Sequence, residues 1–350
     1  MIEPVTIGER KVGPGLPCLV MAEAGVNHNG DLAMALRLVD SAAEAGADVV
    51  KFQTFKSEQV ISPVAPKADY QLQTTGGEES QLEMVKKLEL PFEAFRQLAG
   101  RCVERGITFM SSPFDYESVD LLEELGVVAF KTGSGELTNL PFLSYIASKG
   151  KPIILSTGMA DLDEVAVAVD AVKAAGNRDL VILHCVSNYP AAASSVNLRA
   201  MKTLEEEFEV PVGYSDHTEG ITVPIAAASL GACVIEKHFT LDCKLPGPDH
   251  RASLEPSQLA AMVHAVRTVE AALGDGVKRP AAEELSTATV ARRSLVAAHD
   301  LPAGTVLAES MIAIRRPGTG LPPTFLRQLI GRRLQQDLPS GNLFTLEMLG

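Results

Sequence analysis

Short apolar runs rich in β-branched residues alternate along the chain with amphipathic stretches. The amphipathic stretches, such as residues 32–45 and 163–175, place apolar side chains at positions i, i+3 and i+4, which predicts helices. Several of them end at a glycine, the residue that most readily takes the left-handed conformation that closes a helix. The apolar runs predict eight strands, at residues 18–24, 48–54, 107–112, 127–131, 152–156, 180–185, 210–214 and 233–239.

Eight strand–helix units of similar length within roughly 255 residues are typical of a (β/α)₈ TIM barrel. A last helix near residues 257–273 closes the pattern. A doubly wound open sheet is the alternative, but no GxGxxG or GxxxxGK[ST] motif follows the first predicted strand. The sequence therefore predicts an α/β fold, with a TIM barrel over residues 1–275.

Three segments depart from this pattern. Residues 57–90 form a long, polar, Gln-rich connection after the second strand, which predicts a lid or an interface element. Residues 276–290 are polar and predict a linker. In residues 291–350 short β-like runs alternate with turns, and the sequence DLPAGT from Asp300 returns as DLPSGN from Asp337. This repeat predicts a small, mostly β domain that needs a neighbour for stability.

Composition narrows the class of function. The 350 residues carry 31 basic and 44 acidic side chains, a net charge of -13 and no tryptophan, which argues against nucleic acid as a partner. The longest apolar run, about 13 residues, is shorter than the roughly 20 that a membrane helix needs. No signal-peptide pattern opens the chain, and five cysteines without CxxC spacing are typical of free thiols. We therefore expect a cytoplasmic protein without a membrane partner.

Polar side chains cluster where the predicted strands end, which is where barrel enzymes keep their active sites. Side chains alternate between the two faces of a strand, so residues two apart share a face. Inward polar groups are costly in an apolar barrel unless they partner one another, so one connected site is expected. Three such pairs close predicted strands: Lys51 with Gln53, Ser215 with His217, and Glu236 with His238.

Two histidines at adjacent strand ends indicate a metal site. His217 and His238 follow neighbouring strands, which lie about 4.8 Å apart in a sheet. Both imidazoles could therefore reach one divalent ion and leave open positions for water or substrate. Two unrelated histidines, one capping a helix and one packed in the barrel, are the alternative.

Two lysines and several hydroxyl groups indicate an anion site. Lys51 and Lys131 are inward cations in an acidic protein. Beside glycines or at predicted helix N-termini, where backbone N–H groups favour phosphate, stand Ser134, Ser156 and Ser215. Ordinary helix capping is the alternative for each serine. For the lysines, the alternative is the Schiff base of a class I aldolase.

Sequence blocks at these strand ends resemble the signature blocks of the sialic acid synthase family. They are AEAGVNHNG at 22–30, VKFQT at 50–54, FKTGS at 130–134, HCVSNYP at 184–190, GYSDH at 213–217, IEKHFT at 235–240 and GPDH at 247–250. The block RRPGTG at 315–320 is similar to the antifreeze-like (SAF) domain that ends these synthases. The resemblance implies a TIM barrel followed by a SAF domain of the β-clip type over residues 291–350. It also implies a domain-swapped homodimer in which each SAF domain covers the partner's active site.

The resemblance further implies roles for individual residues. The catalytic residues would be Glu23, Glu236, His217 and His238, the two histidines holding Mn²⁺, with Mg²⁺ or Co²⁺ as alternatives. The residues that bind phosphoenolpyruvate (PEP) would be Lys51, Ser112, Lys131, Ser134, Ser156, Ser187 and Ser215. The residues that bind the sugar would be Glu23, Gln53, Tyr189, Asp249 and, from the second subunit, Arg316.

The reaction implied is the condensation of PEP with N-acetylmannosamine, or a related N-acyl hexosamine, and water to N-acetylneuraminate and phosphate. Synthases for legionaminate, pseudaminate or spore-coat sugars share the same core and are the alternative. A Schiff-base aldolase and a non-catalytic sugar-binding protein are more distant alternatives. Two positions depart from the family pattern, because Ser187 stands where Asn is common and Ala291 replaces an aromatic residue. Both departures bear on substrate contacts more than on the class of reaction.

Overall fold

The computed structural model describes residues 2–350, apart from the side chain of Tyr70, as two compact units, of which the first ends at Gly274 and the second spans Asp275–Gly350. The first unit opens with a short antiparallel pair of strands, β1 (Val5–Ile7) and β2 (Arg10–Val12). Eight parallel strands follow: β3 (Leu19–Gly25), β4 (Val49–Thr54), β5 (Thr108–Pro113), β6 (Phe130–Thr132), β7 (Ile153–Ser156), β8 (Leu180–Cys185), β9 (Val212–Asp216) and β10 (Val234–His238).

These eight strands form a closed barrel. They are ordered β5-β4-β3-β10-β9-β8-β7-β6, and β5 packs beside β6 at the ends of this order. Each strand overlaps one of the eight apolar runs of the sequence. The prediction of a TIM barrel in an α/β fold is therefore confirmed.

Helices connect the strands and cover the outside of the barrel. Their bounds are α1 Leu32–Glu44, α2 Ser57–Val60, α3 Asp69–Thr75, α4 Gln81–Lys86, α5 Phe92–Arg105, α6 Tyr116–Glu124, α7 Leu140–Ser148, α8 Leu162–Ala174, α9 Ala200–Phe208, α10 Thr222–Ser229 and α11 Pro256–Leu273. Helix α11 is the closing helix that the sequence predicts near residues 257–273. No helix within residues 2–350 combines the length and the apolar character that a bilayer crossing demands.

Helix α1 illustrates how local sequence fixes these elements. The Asp31 carboxylate accepts a hydrogen bond of 2.8 Å from the N–H of Ala33 and so caps the first turn. The helix ends before Gly46, whose φ of 78° lies in the left-handed region that favours glycine. Its apolar stripe packs against the sheet through Ala35, Leu38, Val39 and Ala42. The capping residue and the apolar periodicity therefore predict the same helix.

The barrel interior is apolar below its carboxyl end. A cluster that includes Met21, Val49, Met110, Ile154 and Val181 fills the space between the strands. These side chains are at most 1% exposed, so no water-filled channel crosses the barrel at this level. The polar side chains of the strands stand above this apolar layer, at the carboxyl end.

The segment 57–90 folds over one side of that end and contains α2, α3 and α4. The Glu89 carboxylate holds the two ends of the segment together, because it accepts hydrogen bonds of 3.0 Å and 2.8 Å from the N–H and the hydroxyl of Ser57. Apolar side chains seal the junction, with Leu88 packed against Val26 and Phe55. The segment is thus an ordered wall beside the carboxyl end of the barrel.

The second unit contains helix α12 (Glu284–Ala291), strands β11 (Ser294–Ala297) and β12 (Ile312–Arg315), and helix α13 (Leu326–Leu329). The stretch predicted as a linker over residues 276–290 thus carries most of a helix. Helix α12 buries no side chain, so its sequence lacks the apolar periodicity that predicts a helix. The core of the unit is formed by Leu295, Leu301, Leu307, Leu329, Leu334, Leu338 and Phe344.

The two DLP repeats of the second unit pair with each other. Leu301 and Leu338 exchange backbone hydrogen bonds of 2.9 Å and 2.8 Å. The Asp300 carboxylate accepts from the N–H of Ser340, and the Asp337 carboxylate accepts from the N–H of Ala303, each at 2.7 Å. The repeat therefore builds a reciprocal contact in which each copy satisfies the backbone of the other.

Candidate active site

The polar residues predicted for the barrel lie where its strands end. Strand register sets the first neighbours, since Glu23 is paired with Lys51 on one side and with His238 on the other. Those on strands are Glu23 (β3), Lys51 and Gln53 (β4), Ser112 (β5), Lys131 (β6), Ser156 (β7), Ser215 (β9), and Glu236 and His238 (β10). Those in the segments that follow strands are Ser134, Ser187, Tyr189, His217 and Asp249.

Lys51 stands at the centre of a buried ionic network. Its ammonium group lies 2.6 Å from Glu23 Oε2 and 3.7 Å from Glu236 Oε2, and it donates to the Ser112 hydroxyl at 3.0 Å. Glu23 also accepts a hydrogen bond of 3.2 Å from the amide of Gln53. Four strands thus contribute to one connected group, as burial of these charges demands.

Lys131 extends this network to the far side of the barrel. Its ammonium group lies 3.4 Å from Glu236 Oε1 and donates to the Ser156 hydroxyl at 2.8 Å. The Ser215 hydroxyl donates to the same Glu236 oxygen at 2.8 Å. Glu236 therefore bridges the two lysines, and the three seryl hydroxyls of the network lie beside a cation or its carboxylate partner.

The two carboxylates of the network differ in proton affinity. Burial raises the pKa of Glu23 to about 7, although the Lys51 ammonium group opposes that shift. Burial acts on Glu236 in the same direction, but the ammonium groups of Lys131 and Lys51 outweigh it and lower its pKa to about 2. At neutral pH one carboxylate is thus firmly ionised while the other can gain or lose a proton, which is the arrangement of an acid–base pair.

A tight arrangement of small polar groups surrounds Gly158. Its N–H donates to the Ser134 hydroxyl at 3.0 Å, and that hydroxyl lies 3.0 Å from Cys185 Sγ. A Cβ atom at position 158 would lie 2.2 Å from Ser187 Oγ and 2.8 Å from both Ser134 Oγ and Cys185 Sγ. Only glycine lets these groups converge. Gly158 and Cys185 were not among the predicted site residues, although Cys185 shares a strand end with Ser187.

His217 and His238 face each other beside the ionic network. Their ring centroids are 5.6 Å apart, and the Tyr189 ring lies 4.1 Å from that of His217. His217 Nδ1 lies 2.6 Å from the carbonyl oxygen of Val186, so it must carry the proton and leave the Nε2 lone pair available. Burial lowers the pKa of both imidazoles, which keeps them neutral.

This pair fits a divalent transition-metal ion. Neutral imidazoles are the common nitrogen ligands of such ions, and the buried Nδ1 of His238 has no hydrogen-bond partner in the described part of the chain. Within residues 2–350 no group of three or more His, Cys, Asp or Glu side chains converges in a way that could hold a metal. Water or substrate oxygens would therefore have to complete the coordination.

A cavity of about 650 Å³, its open mouth included, lies next to His238. The polar side chains that line it include those of Gln53, Tyr189, His238 and Asp249. Burial raises the pKa of the Asp249 carboxyl to about 6. Three of the four predicted sugar contacts of the barrel, Gln53, Tyr189 and Asp249, thus line one cavity together with His238, whereas Glu23 is not among the residues that line it.

Arg316, the remaining predicted sugar contact, lies in the second unit. It is exposed, and its Nε donates at 3.1 Å to the carbonyl oxygen of Ala291. This carbonyl belongs to the position where the chain departs from the family pattern. The role expected for Arg316 from a second subunit stays a prediction.

Family models match both units of the chain: the NeuB family over residues 38–278, which is more than half of the chain, and the SAF domain over residues 292–350. The chain belongs to the NeuB family. The resemblance to the sialic acid synthases, drawn from the strand-end blocks, is therefore confirmed. The family is one of nonulosonic acid synthases, which are enzymes.

Curated relatives cover almost the whole NeuB chain. It is 47% identical over 344 residues to the N,N'-diacetyllegionaminic acid synthase of Legionella pneumophila, covering 97% of each chain. It is 48% identical over 316 residues to the enzyme of the same name from Campylobacter jejuni, covering 90% of this chain and 95% of that one. It is 38% identical over 327 residues to human N-acetylneuraminate-9-phosphate synthase, covering 93% and 90%.

A solved structure agrees with this NeuB assignment. The N-acetylneuraminic acid (sialic acid) synthetase of Leptospira borgpetersenii serovar Hardjo-bovis, in complex with citrate, superposes with a TM-score of 0.72 at 36% identity. The match covers 82% of this chain and 95% of that one. The comparison of sequences and the comparison of structures thus assign the chain to the same family.

Proposed function

We propose that this protein condenses PEP with an N-acyl hexosamine and water, giving a nine-carbon nonulosonate and phosphate. One observation carries the proposal: a buried ionic network lies beside the His217–His238 pair. The network places two cations for an anionic substrate, Lys51 and Lys131, next to two carboxylates, Glu23 and Glu236. The higher identity to the two diacetyllegionaminate synthases than to the human enzyme favours a legionaminate-type product over N-acetylneuraminate.

The lysines and hydroxyls would hold PEP. Lys51 and Lys131 are at most 3% exposed, so their charges are little screened by water. A phosphate or carboxylate oxygen near either ammonium group would compete with a glutamate for it, and a proton on Glu23 would relieve that competition. The hydroxyls expected to complete the PEP contacts are those of Ser112, Ser134, Ser156, Ser187 and Ser215.

The reaction requires positive charge at C2 of PEP to be stabilised. As C3 attacks the sugar aldehyde, a C–C bond forms, the carbonyl π electrons move to the aldehyde oxygen, which takes up a proton, and loss of the PEP double bond leaves cationic character at C2. The ionised Glu236 carboxylate would stabilise that charge electrostatically. Water then adds to C2 and passes its proton to Glu23, whose raised pKa suits that transfer. The new C2 hydroxyl then gives its proton to the departing phosphate as the bond from C2 to the phosphate oxygen breaks, which leaves the keto acid.

A divalent ion, with Mn²⁺ as the first expectation and Mg²⁺ or Co²⁺ as alternatives, would be held by His217 and His238. When bound it would polarise the aldehyde oxygen of the sugar. Gln53, Tyr189 and Asp249, which line the cavity beside His238, would orient the sugar. In a domain-swapped homodimer, Arg316 of the second subunit would reach the N-acyl group.

Phosphate release from PEP in the presence of acylated hexosamines and Mn²⁺ tests the proposal. Lys131→Met removes the cation beside Glu236 and is expected to lower kcat/KM for PEP at least a hundredfold. Lys202→Met removes an exposed lysine that pairs with Glu205 and Glu206 of its own helix, and should leave activity unchanged. Equal activity of the two variants would refute the assigned role of Lys131.

A Schiff-base aldolase predicts a different response to two reagents. The proposed reaction should stop when EDTA removes the metal, and borohydride should trap no covalent adduct. An aldolase would keep its activity in EDTA and would be trapped on a lysine. Activity that survives EDTA, with a trapped adduct, would exclude the proposed chemistry.

A further inference from the structure

Buried polar side chains that the proposed reaction does not use connect two loops at the carboxyl end of the barrel. Residues 27–30, here called the β3 loop, come after strand β3, and residues 239–250, the β10 loop, follow strand β10. Because β3 and β10 are paired in the barrel, the two loops leave it side by side. Asn27, His28 and His250 are at most 1% exposed, and polar groups so deeply buried are costly unless they form hydrogen bonds. Their hydrogen bonds therefore indicate what these residues do.

His250 links the two loops directly. Its Nε2 lies 3.1 Å from Oδ1 of Asn29, and its Nδ1 lies 2.6 Å from the hydroxyl of Thr240. The amide nitrogen of Asn29 donates to the carbonyl oxygen of Pro246 at 2.8 Å, so Oδ1 is the acceptor that faces the imidazole. His250 Nε2 must therefore carry the proton, and Nδ1 accepts from Thr240. A neutral imidazole thus ties the start of the β10 loop to the β3 loop.

Asn27 makes a second link between the loops. Its amide nitrogen donates to the carbonyl oxygen of Phe239 and to the hydroxyl of Ser253, each at 2.9 Å. The Ser253 hydroxyl in turn donates to the backbone carbonyl oxygen of Asp249 at 2.7 Å. Phe239 follows His238 directly. Asn27 therefore ties the backbone beside one proposed metal ligand to the backbone of one proposed sugar contact.

Close packing leaves these links little freedom. Gly247 has a φ of 148°, and a Cβ atom there would lie 2.7 Å from His250 Cδ2 and 2.9 Å from Asn29 Oδ1. The β3 loop is braced from within, because the N–H of Gly30 donates to His28 Nδ1 at 3.1 Å. A shift of the β10 loop would break hydrogen bonds or force atoms into contact, so the two links hold this loop in one position.

We propose that His250 and Asn27 are positioning residues that hold Asp249 at a fixed place relative to His238, and so determine how the sugar lies in the cavity that both residues line. This inference rests on the proposed function, because it takes Asp249 as a sugar contact. A displacement of about 1 Å caused far from the reacting atoms can lower a rate about 100-fold. The lysines proposed to hold PEP lie on other strands, so loss of these links should affect the sugar and not PEP.

His250→Leu removes both hydrogen bonds of the imidazole and tests the proposal. In the phosphate-release assay, with the acylated hexosamine that the unchanged protein converts fastest, kcat/KM for the sugar should fall about 10- to 100-fold. Calorimetry should show an unchanged Kd for PEP. His250→Gln keeps an N–H donor for Asn29 and should lose less activity than the leucine variant. His264 is exposed on helix α11, so His264→Leu is the matched control and should change neither quantity.

A double variant distinguishes positioning from general damage to the fold. If His250 acts through Asp249, His250→Leu should cause no further loss once Asp249→Asn has removed the carboxylate charge. A structural defect alone would lower kcat/KM by the same factor with and without that carboxylate. Equal factors in the two backgrounds, or a weakened Kd for PEP, would overturn the inference.

Failure of the reaction itself gives a separate result. If no acylated hexosamine releases phosphate from PEP, the proposed function is wrong, and crystal structures then test the positioning alone. The Asp249 carboxylate should move by about 1 Å or more relative to the His238 ring in His250→Leu and stay in place in His264→Leu. An unmoved carboxylate in His250→Leu would overturn the inference.

Thr240 offers a milder pair of variants if His250→Leu fails to fold. Thr240→Val removes the hydroxyl that donates to His250 Nδ1, whereas Thr240→Ser keeps it. The valine variant should lower kcat/KM for the sugar and leave the Kd for PEP unchanged, and the serine variant should resemble the unchanged protein. Equal behaviour of the two variants would contradict the assignment.

Discussion

Breaking an ion pair on the outer face of the barrel strands should cost the first unit a large part of its stability. The Lys237 ammonium group lies 2.5 Å from Asp216 Oδ2 and also donates to the carbonyl oxygen of Thr218. Both side chains are completely inaccessible to solvent. Tyr214 and Thr218 complete the shell by donating hydrogen bonds to Asp216. Lys237→Met would keep most of the aliphatic stem and remove only the charge.

The expected cost follows from the carboxylate that remains. Removing one partner of a buried pair costs about 3–5 kcal/mol, because the other charge is left uncompensated. Asp216 keeps its hydrogen bonds from Tyr214 and Thr218, which places the expected loss at the lower end, about 3 kcal/mol. Domains are stable by only about 5–15 kcal/mol, so a loss of this size is readily measured.

Urea unfolding at neutral pH, monitored by circular dichroism, measures the loss in the free energy of unfolding caused by Lys237→Met. Lys202→Met on the surface is the control and should shift the free energy of unfolding by less than about 0.5 kcal/mol. Combining Lys237→Met with Asp216→Asn should cost less than the sum of the two single changes, by about 0.5–3 kcal/mol. A loss below about 1 kcal/mol for Lys237→Met, or strict additivity, would refute the reasoning.

Three further outcomes are expected. Gly158→Ala should lower kcat/KM for PEP at least tenfold in the phosphate-release assay, because the added Cβ would lie 2.2 Å from Ser187 Oγ. Unchanged kinetics would contradict the packing described around Gly158. Burial lowers the pKa of His28 and His250 to about 4 in the folded chain, so the unfolded chain binds more protons below pH 6.5. Urea titrations should therefore show stability falling from pH 6.5 toward 4, by up to about 1.4 kcal/mol per pH unit for each histidine, and His250→Gln should flatten the slope. Glu89→Gln weakens the link between the two ends of the segment 57–90, which should become more sensitive to limited proteolysis without a change in the unfolding of the barrel.

The sequence predicts the barrel well for a physical reason. Parallel strands covered by helices are buried on both faces, so they appear as continuous apolar runs that helices interrupt. The alternation of side chains along β10 likewise separates Glu236 and His238, which face the site, from Lys237, which does not. That Lys237 pairs with Asp216 depends on a contact between strands, which no local pattern reports.

Other features could not be predicted from the sequence, for related reasons. Cys185 looked like an ordinary buried thiol, and only the approach of Ser134 and Gly158 from neighbouring strand ends shows its place in the site. The apolar wall of the cavity combines Phe55, at the end of a strand, with Leu88, more than thirty positions later. Such surfaces arise from tertiary packing, whereas periodicity describes single elements.

The reciprocal pairing of the two DLP repeats bears on how the second unit folds. Each copy relies on the other for part of its backbone hydrogen bonding, since Asp300 accepts from Ser340 and Asp337 accepts from Ala303. The chain between the two copies must therefore close a loop before these hydrogen bonds can form. It loses conformational entropy in closing that loop before the contacts add any stability. A fragment that ends between the repeats should be unstructured, so that half of this unit is not a smaller folded domain but an unfolded peptide.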